Sequence, residues 1–288
     1  MVGGRGVRLA PSSGVEAELF VCVEADASRT ETLVRQASAV QREWLPRDRI
    51  TSAVEVSFDE ASERVTAKRH VRYEDLVLEE ADAPLPDGEA VARVLTEAAA
   101  RRPERVLPPG DSPAGLWLTR VRCLREWVPE LGLPAFDESD LREVLGWLAP
   151  GRRSFADLRA ADWLGSLQGR LTQAQRQAIE REAPERLAVP SGSRLALHYE
   201  PGRPPVLAVR IQELFGLSDT PRVAAGRVRV LLHLLAPNYR PQQVTDDLAS
   251  FWANTYPVVR KELRARYPKH AWPEGPDTAT PESRPRRR

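Results

Sequence analysis

The apolar residues of this chain change their spacing twice, and that change limits the folds open to it. Val54, Val56 and Phe58 alternate with polar neighbours. After the turn-like Asp59-Glu60-Ala61-Ser62, Val65 and Ala67 continue one face while Arg64, Thr66, Lys68 and His70 face away. Alternation of this kind predicts a half-buried β-hairpin. From Val91 the period lengthens: Val91, Val94, Leu95 and Ala98 fall at helical spacing, and Leu141, Val144, Leu145 and Leu148 repeat at i, i+3, i+4, i+7. Alternation returns in Leu195, Leu197 and Tyr199 and again in Val228, Val230, Leu232 and Leu234. A strand–helix–strand succession predicts an α+β fold in three parts rather than an all-helical or all-strand one.

Local signals fill in these parts. Residues 1–14 read as an irregular leader. Strands are expected at Glu18–Glu24 and Tyr73–Leu78, Leu33–Val40 reads as a strand or alternatively a helix, and a short helix is expected over 41–47. With the hairpin they make a small antiparallel sheet or barrel over 1–86. Pro84-Leu85-Pro86-Asp87-Gly88 reads as a boundary. Residues 87–183 read as helical. Leu116, Trp117, Val121, Leu124, Trp127, Val128 and Leu131 trace a long helix, Asp137 caps the next, and 161–171 is a shorter one. Thr172 and Gln175 form a capping-box pattern. Over 184–273, strands at 195–199, 206–210 and 228–234 predict an antiparallel sheet with packed helices. Thr245 is expected to cap a helix bearing Leu248, Phe251 and Trp252, and Pro257 suits the first turn of the last helix. Residues 274–288 show no periodicity and are expected to be a disordered basic tail.

An apolar share of 42% is enough for a core. No run of about 18 apolar residues predicts a membrane span, and no secretory h-region follows Met1. Cys22 and Cys123 are the only cysteines, which fits a reducing, cytoplasmic setting.

Several chemistries are excluded by spacing. The only lysines are Lys68, Lys261 and Lys269, and none stands in a Gly-x-x-x-x-Gly-Lys-Ser/Thr loop, so ATP is not expected to bind by that route. His70, His198, His233 and His270 are scattered and form no zinc motif. Pro190-Ser191-Gly192-Ser193-Arg194 has the wrong glycine spacing for a nucleophile elbow. Asp246-Asp247 lie at a helix start, where they complement the dipole. No catalytic residue, metal or cofactor is therefore expected.

The near balance of 42 basic and 41 acidic residues hides an asymmetry. Residues 184–288 hold 17 Lys and Arg against 10 Asp and Glu, which leaves 25 against 31 for residues 1–183. Arg240, Arg260, Lys261, Arg264, Arg266 and Lys269 are interleaved with Tyr239, Trp252, Tyr256, Tyr267 and Trp272. Cations on phosphates with aromatic faces on bases would make a single-strand site. Composition alone favours the plainer reading, in which Trp252, Tyr256 and Trp272 are core or docking residues and the arginines a solvated face.

The same region carries longer stretches: Val189–Arg194, Pro205–Gly216, Thr220-Pro-Arg222, Val230–Pro237, Gln243–Trp252 and Val259–Pro273, the last ending Arg-Tyr-Pro-Lys-His-Ala-Trp-Pro. In this order they resemble the C-terminal region of HrpB-type bacterial ATP-dependent RNA helicases, of the DEAH-box-like class. The resemblance is strong over about 184–276 and collinear over about 4–183, where the family carries an OB-type barrel and then helices. It implies an OB-like domain over 1–86. The family's RecA-like motor domains, with their P-loop, Asp-Glu-x-His motif and arginine fingers, have no counterpart in these residues. ATP and Mg would need those domains, and no ATPase activity is expected of this chain alone.

The resemblance thus implies a non-catalytic accessory module that binds single-stranded RNA or DNA weakly and modulates a helicase motor on a separate polypeptide, with no membrane partner. Charge and position make Arg194, Arg222, Arg227, Arg240, Lys261, Arg264, Lys269 and His270 the nucleic-acid candidates. Trp252, Tyr267 and Trp272 are the stacking or docking candidates. The alternative is a protein-interaction module that docks on a partner through the surface around Trp252 and Trp272.

Overall fold

Antiparallel pairing begins at the first described strand and dominates the first third of the chain. The computed structural model describes residues 18–27, 32–86 and 88–282. The expected leader over 1–14, Asp87 of the boundary and the last six residues of the basic tail lie outside them. Packing divides the chain into two units, residues 1–98 with 149–156, and residues 99–148 with 157–288.

In the first unit, β1 (Leu19–Ala27) pairs with β2 (Thr32–Val40), and β3 (Ile50–Asp59), β4 (Arg64–Tyr73) and β5 (Leu76–Asp82) form a second sheet. Val65 and Ala67 are buried, as their alternation with Arg64 and Lys68 requires. The expected helix over 41–47 is two 3₁₀ turns, Arg42–Trp44 and Arg47–Arg49. β5 covers β4 only from Lys68 to Tyr73, which leaves backbone groups near Val65 in need of partners. Residues 149–156 return to supply them. The Val65 amide donates to the Arg153 carbonyl (2.8 Å), and the Phe155 amide to that of Glu63 (3.1 Å). Phe155 stacks on Phe58 with ring centroids 4.5 Å apart. The strands form two separate sheets, and among the described residues they close no OB-like barrel. Helix α1 (Glu89–Arg101) follows.

The second unit opens with helices α2 (Pro113–Trp127), α3 (Glu138–Leu148), α4 (Phe155–Arg159, whose first two residues belong to the first unit), α5 (Trp163–Gly169) and α6 (Gln173–Glu182). Their starts follow the sequence. Ser112 accepts from the Gly115 amide, Asp137 from those of Ser139 and Asp140, and Asp162 from that of Gly165. The capping box at Thr172 and Gln175 is formed in both directions. A Cβ at position 115 would collide with the Pro109 carbonyl, so glycine is needed there. Arg120 is buried, and its guanidinium donates to the Ala183 carbonyl (2.9 Å) and to Glu180 (2.8 Å). That pairing ties α2 to the end of α6 and gives the buried charge its partners.

Next comes a five-stranded sheet in the order β12-β11-β8-β7-β6, from β6 (Arg186–Ala188), β7 (Arg194–His198), β8 (Val206–Arg210), β11 (Leu231–Leu235) and β12 (Pro241–Thr245). The expected antiparallel sheet is in fact mixed, because β8 and β11 run parallel with Leu207 opposite Leu232. A parallel pair needs a crossover, and residues 211–230 provide it. Within the crossover, Arg222–Val223 (β9) and Val228–Arg229 (β10) form a small hairpin. The expected strand over 228–234 is therefore two strands in two sheets, split at buried Val230.

A helical run closes the unit: α7 (Leu248–Ser250), a π-helical turn over Phe251–Thr255, and α8 (Tyr256–Arg266), with Pro257 in its first turn as expected. Asp247, not Thr245, is the cap. Its carboxylate accepts from the Ser250 amide (2.9 Å), while Thr245 ends β12. The crossover helps, since Thr220 Oγ1 accepts from the Leu248 amide (2.8 Å).

The expected disorder of 274–288 does not hold for 274–282. The Gly216 amide donates to the Pro276 carbonyl (2.8 Å), and the Glu282 amide to that of Gln212 (3.0 Å). Composition missed this because the bonds are backbone bonds, which a Pro- and Thr-rich stretch forms as well as any other.

Candidate nucleic-acid interface

The five-stranded sheet has one packed face and one open one. Leu197, Leu207, Val209, Leu232 and Leu234 are buried on the packed side. Pairing fixes what lies opposite, because side chains alternate along each strand and registered partners share a face. Arg186 pairs with Ala196, Ala188 with Arg194, His198 with Val206, Ala208 with His233, Arg210 with Leu235, and His233 with Val244. Ala196, Ala208, His198, Arg194, Arg186 and Val244 on this side are exposed. The open face thus presents three arginines and two histidines, and its strand positions hold no carboxylate.

At the rim of this face lies a cavity of about 420 Å³ lined by Ser193, Ala208, Arg210, Glu213, Leu235 and Tyr239. Buried Glu213 organises it. Its Oε1 accepts from Arg210 Nε (2.8 Å) and its Oε2 from Ser191 Oγ (3.0 Å). The Arg210 guanidinium lies 5.3 Å from the centroid of the Tyr239 ring, a cation–π contact. Tyr239 is 66% exposed and has a φ of +66°.

Residues 145–276 match the family model described as ATP-dependent helicase C-terminal (HrpB_C). The sequence is 42% identical over 169 residues to the ATP-dependent RNA helicase HrpB of Escherichia coli strain K12, covering 57% of this chain and 21% of that protein. The crystal structure of the E. coli DExH-box NTPase HrpB superposes with a TM-score of 0.68 at 31% identity, covering 91% of this chain and 33% of that one. A second, of the E. coli DEAH/RHA helicase HrpB, gives 0.59 at 31% identity over 89% and 32%. Residues 145–276 are an HrpB-type C-terminal region. The chain spans about a fifth of the curated relative it matches and a third of the solved one.

The HrpB-type region contains the whole five-stranded sheet, its open face and the rim cavity. Among the expected phosphate contacts, Arg194 stands on the open face and Arg240 at the end of the β11–β12 loop, both exposed. Lys261 and Arg264 are exposed on α8, and Lys269 follows it. None of these five makes an ion pair among the described residues. The other candidates are engaged. Arg222 donates to the Gly226 carbonyl (3.1 Å), and Arg227 is paired with Glu130. Burial holds His270 below the ordinary imidazole range, and Arg210 adds to this against an opposing pull from Glu282. The lowering disfavours a charged imidazole at His270 in the unliganded chain.

The aromatic candidates divide similarly. Trp252 and Trp272 are each only 7% exposed. Trp252 packs with Phe215, Phe251 and Tyr256, and its indole N–H donates to the Leu217 carbonyl (2.8 Å). Trp272 donates to the Tyr267 carbonyl (3.0 Å). Both are core, so they form neither a stacking platform nor the docking surface of the alternative reading. Tyr267 is half-buried, with its ring edge-on to His270. Sequence reasoning missed Arg210 and Glu213. Their spacing of three is the one signal that could have paired them.

Proposed function

We propose that this chain is a non-catalytic accessory module of an ATP-dependent RNA helicase. It binds single-stranded nucleic acid weakly and modulates a helicase motor in the cytoplasm. The observation that carries this reading is the open sheet face of the HrpB-type region, which bears Arg186, Arg194 and Arg210 with no carboxylate among its strand positions. The exposed Arg186 and Arg194 attract phosphates, while the mostly buried Arg210 is paired with Glu213. The small side chains of Ala196 and Ala208 let a strand approach the sheet closely. Similarity to an RNA helicase favours RNA as the strand.

Fluorescence anisotropy of labelled single-stranded RNA, titrated with the 288-residue chain at low and moderate salt, tests the reading. Binding that weakens steeply with salt is expected. Absence of binding by folded protein at low salt overturns it.

A further inference from the structure

We propose that the rim cavity is a stacking subsite for one unpaired nucleobase, with Tyr239 as its platform. This rests on the single-strand reading above and adds a defined contact to it.

The first observation is the backbone. Tyr239 lies in the loop between β11 and β12, where the Ala236 amide donates to the Arg240 carbonyl and the Tyr239 amide to that of Ala236, both at 2.9 Å. The third residue of such a hairpin loop takes a left-handed conformation, which glycine fills without strain. Here a tyrosine fills it, at a cost of roughly 1 kcal/mol. Core burial does not repay that cost, because the ring is mostly in solvent.

The second observation is that the exposed ring is held in place. Arg210 covers one of its faces. Arg210 is fixed in turn by Glu213, and Glu213 by Ser191, whose amide also donates to the Glu213 carbonyl (3.3 Å). A platform oriented before binding loses little entropy when a base lands on it. Tyr239 remains 66% exposed.

The third observation is the surroundings. The cavity beside the ring offers the Ser193 hydroxyl, Leu235 and the short Ala208 side chain. Exposed Arg194 and Arg240 are the chain neighbours of the lining residues Ser193 and Tyr239 and offer cations to the phosphates of a bound strand. The lining combines aliphatic Leu195, Ala208, Val209 and Leu235 with Ser193 and the Arg210–Glu213 pair, so a flat base can meet apolar contacts on its ring and polar groups at its edge. Stacking on tyrosine needs an unpaired base, so the ligand is single-stranded and sequence preference is weak.

The test uses the 288-residue chain and a short single-stranded RNA carrying 2-aminopurine. Tyr239→Gly removes the ring and relieves the backbone. It is expected to keep or raise the urea midpoint while weakening single-strand binding roughly 10-fold, the size of one lost base–aromatic stack. No charge is lost, so the salt slope stays unchanged. Tyr239→Phe is expected to bind like the parent, because stacking does not use the hydroxyl. Emission of 2-aminopurine is expected to fall on binding the parent and not on binding Tyr239→Gly. Duplex RNA binding should be equal for both. Single-strand binding by Tyr239→Gly at parental strength, or equal losses on duplex and single strand, overturns the subsite and leaves the accessory-module reading standing. Failure of the parent chain to bind at all overturns both.

Discussion

The Arg227 guanidinium forks onto the Glu130 carboxylate, with Nη1 2.9 Å from Oε2 and Nη2 on Oε1, and also donates to the Trp127 carbonyl (3.2 Å). Ninety-seven positions separate the two residues. The pair fastens the β9–β10 hairpin of the crossover to the end of α2, so a cation that sequence reasoning assigned to phosphate is already matched inside the fold. Arg227→Ala is accordingly expected to lower the thermal midpoint slightly, as exposed pairs do, and to leave RNA affinity within about twofold of the parent. Thermal melts and anisotropy on the same samples check both halves.

Arg194 and Arg240 behave oppositely. Each is exposed and makes no ion pair among the described residues. Replacing either with alanine is expected to reduce the slope of log K against log salt by about 0.7, the share of one phosphate contact on a single strand. The melting temperature should hardly move. A salt titration of each variant reads this directly.

Trp252→Ala removes the centre of the Phe215–Phe251–Tyr256 cluster. The expected loss is about 3–5 kcal/mol in urea unfolding, typical of a large aromatic deleted from a core. Were the ring a surface contact, the same change would weaken binding and spare stability.

Ala224 and Ala225 both have a φ of +53°. Ala225 is exposed, so glycine there relieves strain without opening a cavity. Ala225→Gly is expected to stabilise the second unit by about 0.5–1 kcal/mol in urea unfolding.

The Glu182 carboxyl is held below its ordinary value first by Arg181 and then by the Ala225 amide, which donates to Oε2 at 2.6 Å. A carboxylate lowered in the folded state binds its proton more weakly there than when unfolded. Its contribution is complete above the unfolded pKa and is lost as pH falls through the folded one. The urea midpoint should therefore decline as pH drops below about 4.5, the ordinary value for Glu. Glu182→Gln should shrink that decline.

Features written in local spacing were legible from the sequence. The Thr172–Gln175 box, the Asp137 cap and the 54–67 hairpin each depend on residues within a few positions of one another. What stayed hidden depends on distant partners. Thr245 and Asp247 are both good caps two residues apart, and Thr220, from the crossover, supports the later start. The burial of Trp252 and Trp272 was ambiguous because arginines lie nearby in sequence. Arg260, one of them, turns out to donate to the Trp272 carbonyl (2.8 Å) rather than mark an open face. The open sheet face was illegible for a related reason. Arg186, Arg194 and Arg210 are spread over three strands, and only their pairing brings them to one side.

The parallel pairing of β8 with β11 also sets an order in time. Neighbouring antiparallel strands such as β11 and β12 can zip from their connecting loop. Val206–Arg210 can pair with Arg194–His198 on one edge in the same way, but its other edge must wait for Leu231–Leu235, across the whole crossover. As the chain emerges from a ribosome, Leu207 and Val209 would lack their β11 neighbours until Leu232 and Leu234 arrive. The open sheet face and its rim would then be among the last features of this unit to exist. A co-translational folding assay should see the edge of β8 that faces β11 protected only after β11 has cleared the exit tunnel, later than the edge that faces β7.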